Sequence, residues 1–77
     1  MKILTQGIFK NAPSWVLSAA IDSDGNVHYY SVPVSGLSPN RDERWWLYRN
    51  VEGTAYCDFA DDGYNTTNWK DSAIDRI

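Results

Sequence analysis

Asp24-Gly25 stands between two runs of strand-forming residues, 15–21 and 27–34, and this dipeptide supplies the backbone of a two-residue type I′ turn. The sequence therefore predicts a β-hairpin. With Ser23 and Asn26 flanking the turn, Ile21 opposes His28, Ala19 opposes Tyr30, Leu17 opposes Val32 and Trp15 opposes Val34, all on one face. The other face carries Val16, Ser18, Ala20 and Asp22 opposite Val27, Tyr29, Ser31 and Pro33, a more polar set. Pro33 has no N–H to give a ladder, so its end of the second strand is expected at an edge or unpaired.

Other elements are read around this hairpin. Residues 2–10 read as a further strand with a bulge at Gly7, and Asn11-Ala12-Pro13-Ser14 as a turn. Residues 34–44, with Gly36, Pro39 and Asn40, form the longest expected loop. Residues 44–50 (RWWLYRN) and 54–59 (TAYCDF) read as two strands joined by a turn at Asn50-Val51-Glu52-Gly53. In the second strand Ala55, Cys57 and Phe59 share the face expected in the core. After the turn-rich 60–65, Trp69, Ala73, Ile74 and Ile77 fall at helical spacing and predict a short C-terminal helix. Isolated, such a helix is marginal, so Trp69 is expected to dock it on the sheet.

At 77 residues the chain suits one small domain, 1–77, and is too short for two. The expected fold class is α+β: an antiparallel sheet of four or five strands, able to curl into a small barrel, with a short C-terminal helix. Four Trp, five Tyr and two Phe make an unusually large aromatic load, each ring able to bury about 150–250 Å². Strand alternation divides it. Trp15, Tyr30, Phe59 and Trp69 read as core, whereas Trp46, Tyr48, Tyr29 and Tyr56 fall on second faces that need a covering element or a partner.

A net charge of −3 disfavours direct binding to nucleic acid. Residues 1–50 carry five basic and four acidic side chains, and residues 51–77 two basic and six acidic, so the acidity belongs to the C-terminal third. Cys57 is the only cysteine, which excludes an internal disulfide and fits a reducing cytoplasm. The first ten residues do not read as a signal peptide, and no window approaches the roughly 20 apolar residues of a membrane span.

Catalytic constellations are thin. Asp22-Ser23-Asp24-Gly25-Asn26 lacks the glycine position and the glutamate of a calcium loop. One Cys and one His cannot supply the ligands of a zinc site, and Cys57 with His28 lacks the surroundings of a nucleophile pair. His28, just past the turn, is expected at the surface. We expect no enzyme activity, cofactor or metal.

Segment 41–49 (RDERWWLYR) is the densest in residue types enriched at protein interfaces. Adjacent Trp45 and Trp46 must point to opposite faces of a strand, so either one large ring is exposed or a second layer covers it. The expected function is a non-enzymatic protein-interaction module. Its candidate partner-binding residues are Arg44, Trp46, Tyr48 and Arg49 with Asp58, Asp61, Asp62 and Tyr64 of the acidic region. The alternative is a small-ligand or carbohydrate-binding module with an aromatic platform. An edge strand and spare aromatic surface also permit a homodimer.

The run FADDGYNTTNWKDSAIDR at 59–76 resembles the ending of short orphan proteins encoded by bacteriophages and prophages. The resemblance covers about a quarter of the chain. It implies an accessory protein acting by binding a host protein, and it transfers no site residue.

Overall fold

The structure is a computed structural model and describes residues 1–40, 45–48 and 56–77. Its first hairpin joins β1 (Ser18–Ile21) to β2 (Val27–Tyr30), antiparallel. The hairpin forms where the sequence places it, but one residue out of the expected register: Ile21 opposes Val27 and Ala19 opposes Tyr29. The cause is local. Asp22 N–H donates to the Asn26 carbonyl at 2.8 Å, Gly25 N–H donates to the Asp22 carbonyl at 3.0 Å, and the Asp24 carboxylate accepts from Asn26 N–H at 3.0 Å. These bonds close a three-residue loop, Ser23-Asp24-Gly25, in which Gly25 alone takes the left-handed role at φ 89°.

Because side chains alternate, that slip moves each strand residue to the other face relative to its partner. Ala19, Ile21, Val27 and Tyr29 now share one face, and Ser18, Ala20, His28 and Tyr30 share the other. Two more strands complete a four-stranded sheet of order β5-β2-β1-β6, with β5 at Cys57–Asp61 and β6 at Ile74–Asp75. A bulge between Val27 and His28 accommodates Ala60, leaving Asp58 beside Tyr29 on the first face and Phe59 beside His28 on the second.

Both faces are covered, and all four β1 residues are buried. On the first face Phe9, Val16 and Tyr64 pack against Ala19, Ile21 and Val27, with Leu4, Ile8 and Trp15 around them. Over the second lies an antiparallel ribbon of β3 (Leu37–Asn40) and β4 (Trp45–Tyr48), which brings Leu37 and Trp46 against Ala20 and Tyr30. The small side chains of Ser18, Ala19 and Ala20 leave room for these rings on either side.

Several expectations are corrected. The C-terminal helix is absent: 66–77 forms a 3-10 turn at Trp69–Asp71 and then β6, which pairs with β1 through Ser18↔Asp75 and Ala19↔Ile74. Completing the open edge of β1 saturates its ladder, with Arg76 N–H donating to the Leu17 carbonyl at 2.8 Å, a gain that outweighs ten residues of weak helix formers. The apolar stripe still docks, since Trp69, Ala73 and Ile74 all pack on the core.

Residues 2–10 are not a strand. They hold a 3-10 turn at Gln6–Phe9, capped by the Thr5 hydroxyl, and a single bridge from Lys2 to Tyr64. The expected loop at 34–44 contains a 3-10 turn at Val34–Gly36 and then β3, where Pro39 is tolerated because β3 lies at a ribbon edge. Between β4 and β5, the expected turn at 50–53 lies outside the described residues. The sheet is open, with β5 and β6 as its edges, and is not a barrel. Among the described residues no helix is long and apolar enough to cross a membrane.

Candidate functional site

β4 divides the aromatic segment by simple alternation. Trp46 and Tyr48 turn toward the sheet, while Trp45 and Leu47 turn away and are 49% and 42% exposed. Trp46 is fixed on every side: its indole N–H donates to the Ile21 carbonyl at 2.9 Å, its backbone N–H donates to Asp22 Oδ1 at 3.3 Å, and its ring meets Trp69 edge-on at 6.5 Å. Tyr48 packs edge-on against Tyr30 at 5.8 Å, and its hydroxyl donates to the Tyr56 carbonyl. Burial pushes both phenols above the ordinary tyrosine range.

Between β4 and the second face of the sheet opens a groove of about 730 Å³, to which Asp22, His28, Tyr30, Trp45, Tyr48 and Cys57 contribute. At its floor Asp22, 6% exposed, holds Oδ2 at 2.8 Å from His28 Nδ1. The carboxylate holds the imidazole above its usual range. Burial opposes this, and Asp24 and Asp58 add to it from either side. His28 also meets Phe59 edge-on at 5.9 Å.

The expected partner-binding residues separate. Trp46 is buried and serves as a seam between ribbon and sheet; Tyr48 is half-buried at the groove. Asp58 lies on the opposite face, beside Tyr29, and accepts from Phe59 N–H at 2.9 Å. Asp61 is paired with Lys2 at 2.8 Å, which holds its carboxyl below the usual range. Tyr64 is buried in the first-face core with its hydroxyl donating to Asp61 at 3.2 Å, and Asp62 is exposed next to them. Among the described residues, the aromatic and acidic members of this set are therefore divided between different faces of the sheet. Arg44 and Arg49 lie outside the described residues.

Three further readings change. Phe59, expected in the core, is 53% exposed, and Cys57 is exposed as well, because β5 is an edge strand whose second face the ribbon leaves open. His28, expected at the surface, is half-buried against Asp22. That pair was hidden by the register: a two-residue turn sets His28 and Asp22 on opposite faces, and the three-residue loop brings them together. The Asp24 side chain bonding back to Asn26 N–H was the available signal.

No family model, curated protein or solved structure matches the chain.

Proposed function

We propose that this chain is a non-enzymatic protein-interaction module whose recognition surface is the outward face of β4 together with the adjoining groove. One observation carries the reading: Trp45 and Leu47 stand exposed, two residues apart, on a strand whose inward side is immobilised by Trp46 and Tyr48. Tryptophan is among the residues enriched where interfaces concentrate their binding energy. A rigidly mounted ring also loses little conformational freedom on binding. Exposed Phe59 and Tyr56 on and beside β5 extend the apolar character. The Lys2-paired Asp61 and the buried Tyr64 are left out of the surface. The resemblance of 59–76 to phage and prophage proteins points to a host protein in the bacterial cytoplasm as partner.

The groove volume supports a second reading, since small-molecule sites occupy about 300–1,000 Å³. The deciding experiment is capture from bacterial lysate with the wild type, a Trp45→Ser/Leu47→Ser variant and an Asp62→Lys control. Partners retained by Asp62→Lys and lost by the double variant support the module; identical recovery by all three overturns it. Tryptophan emission that shifts with millimolar carbohydrate and stays silent with lysate-derived partners favours the second reading.

A further inference from the structure

Asp22 is a buried carboxylate at the meeting point of three elements: the end of β1 that carries it, β2 through His28, and β4 through Trp46. An ionised carboxylate in such a place is strongly disfavoured unless a charge and hydrogen-bond donors compensate it. Its Oδ2 faces His28 Nδ1 at 2.8 Å as an ion-pair contact, and among the described residues Nδ1 makes no hydrogen bond, so charge rather than a directed bond joins the two. Its Oδ1 accepts from Trp46 N–H at 3.3 Å, next to the 2.9 Å bond between the Trp46 indole and the Ile21 carbonyl.

We propose that the Asp22–His28 pair is a protonation-controlled latch that holds the β3–β4 ribbon, and with it one wall of the groove, against the sheet. With imidazolium present the carboxylate is neutralised and the Trp46 contacts sit in a compensated environment. When the ring loses its proton that compensating charge is withdrawn, and the strain falls on the weakest attachment at the site. That attachment is the ribbon. The hairpin has its own ladder, including Asp22 N–H to the Asn26 carbonyl at 2.8 Å, whereas among the described residues β4 is held by the Trp46 bonds, the Tyr48 hydroxyl and ring packing on Ala20, Tyr30 and Trp69, with no strand pairing to the sheet.

The groups acting on His28 are consistent with a switch above the ordinary imidazole value. Among the described residues, Asp22 and Asp24 act from the hairpin and Asp58 from β5, all favouring the proton, while burial opposes it. Cys57 of β5, Tyr30 of β2 and Tyr48 of β4 complete the titratable surroundings. The latch bears on recognition only if the groove is the binding surface, as proposed above, but its own test needs no partner.

That test is hydrogen exchange by NMR between about pH 5.5 and 9, a range spanning the ordinary imidazole value near 6.5. Rates are corrected for intrinsic exchange, and the wild type is compared with His28→Gln and Asp22→Asn. In the wild type, Trp46 indole protection falls several-fold through one protonation step and lies below that of the β1 and β2 amides on the alkaline side, as release of the ribbon from an intact sheet requires. The step disappears in His28→Gln. It also disappears in Asp22→Asn, which leaves no stranded charge and still accepts from Trp46 N–H, so the indole stays protected throughout. A flat wild-type profile, a step surviving in His28→Gln, or an indole protected as strongly as the β1 and β2 amides on the alkaline side, which means it exchanges only by global unfolding, would overturn the latch. Failure of partner capture alongside an intact step would instead remove the binding role of the groove.

Discussion

At the residue scale, Trp46 and His28 show how a single polar atom assigns a large side chain its place. Trp46 could have faced solvent as readily as Trp45, but its indole N–H has a carbonyl to meet at Ile21 only on the inward side. Trp46→Phe keeps most of the ring and strands that carbonyl, and we expect a loss of about 1–3 kcal/mol in urea unfolding. Trp45→Ser should change stability by less than about 0.5 kcal/mol, as exposed sites do.

His28 sets a pH dependence whose sign follows from its contact with Asp22. Its folded value is raised above the unfolded one, so the stabilisation is complete below about pH 6.5 and is lost as pH rises through the folded value. Asp61, lowered by Lys2, gives the opposite limb: stabilisation present above about pH 4 and lost as acid protonates the carboxyl. This pair is exposed and screened by salt. Urea midpoints across pH should therefore fall on both sides of a mildly acidic to neutral maximum, and only the alkaline fall should vanish in His28→Gln.

At the element scale, the hairpin and the C-terminal segment decide how the sheet closes its edges. Gly25 takes φ 89°, and a Cβ there would meet the Tyr64 carbonyl oxygen at 3.0 Å. Gly25→Ala is expected to cost about 1–3 kcal/mol by thermal unfolding, because a left-handed backbone is strained for alanine. β6 covers the outer edge of β1, and Arg76 ties it down by donating to the Pro13 and Val16 carbonyls at 2.8 and 3.1 Å. Deleting residues 74–77 uncovers that edge, and light scattering should then report more self-association than the 77-residue chain shows. At the other edge, Asp58 and Asp61 accept from the Phe59 and Asp62 N–H groups, placing carboxylates where another strand would dock.

At the scale of the whole molecule, one sheet is the middle layer and is covered differently on its two faces, by irregular chain on the first and a two-stranded ribbon on the second. Among the described residues the only helical turns are short 3-10 pieces, so far-UV circular dichroism should lack the double minimum of an α-helix. A helical spectrum would contradict β6.

The sequence by itself determined the strands at Ser18–Ile21, Val27–Tyr30, Trp45–Tyr48 and Cys57–Asp61, though not those at Leu37–Asn40 and Ile74–Asp75, together with the hairpin at Asp24-Gly25, the opposite facing of Trp45 and Trp46, and the burial of Tyr30. All are local consequences of turn chemistry and of alternation along a strand. Only the folded structure decided the register, because two- and three-residue loops both suit Asp-Gly and the bonds of Asp22 and Asp24 to Asn26 select the longer one. It also decided that Trp69, Ala73 and Ile74, an apolar set with helical spacing, dock as a 3-10 turn and a strand, because the unsatisfied edge of β1 offered more hydrogen bonds than a short helix could. The Asp22–His28 contact at the groove floor follows from that register. Its residues stand six apart in the chain, and only a hairpin loop of the right length brings them onto one face.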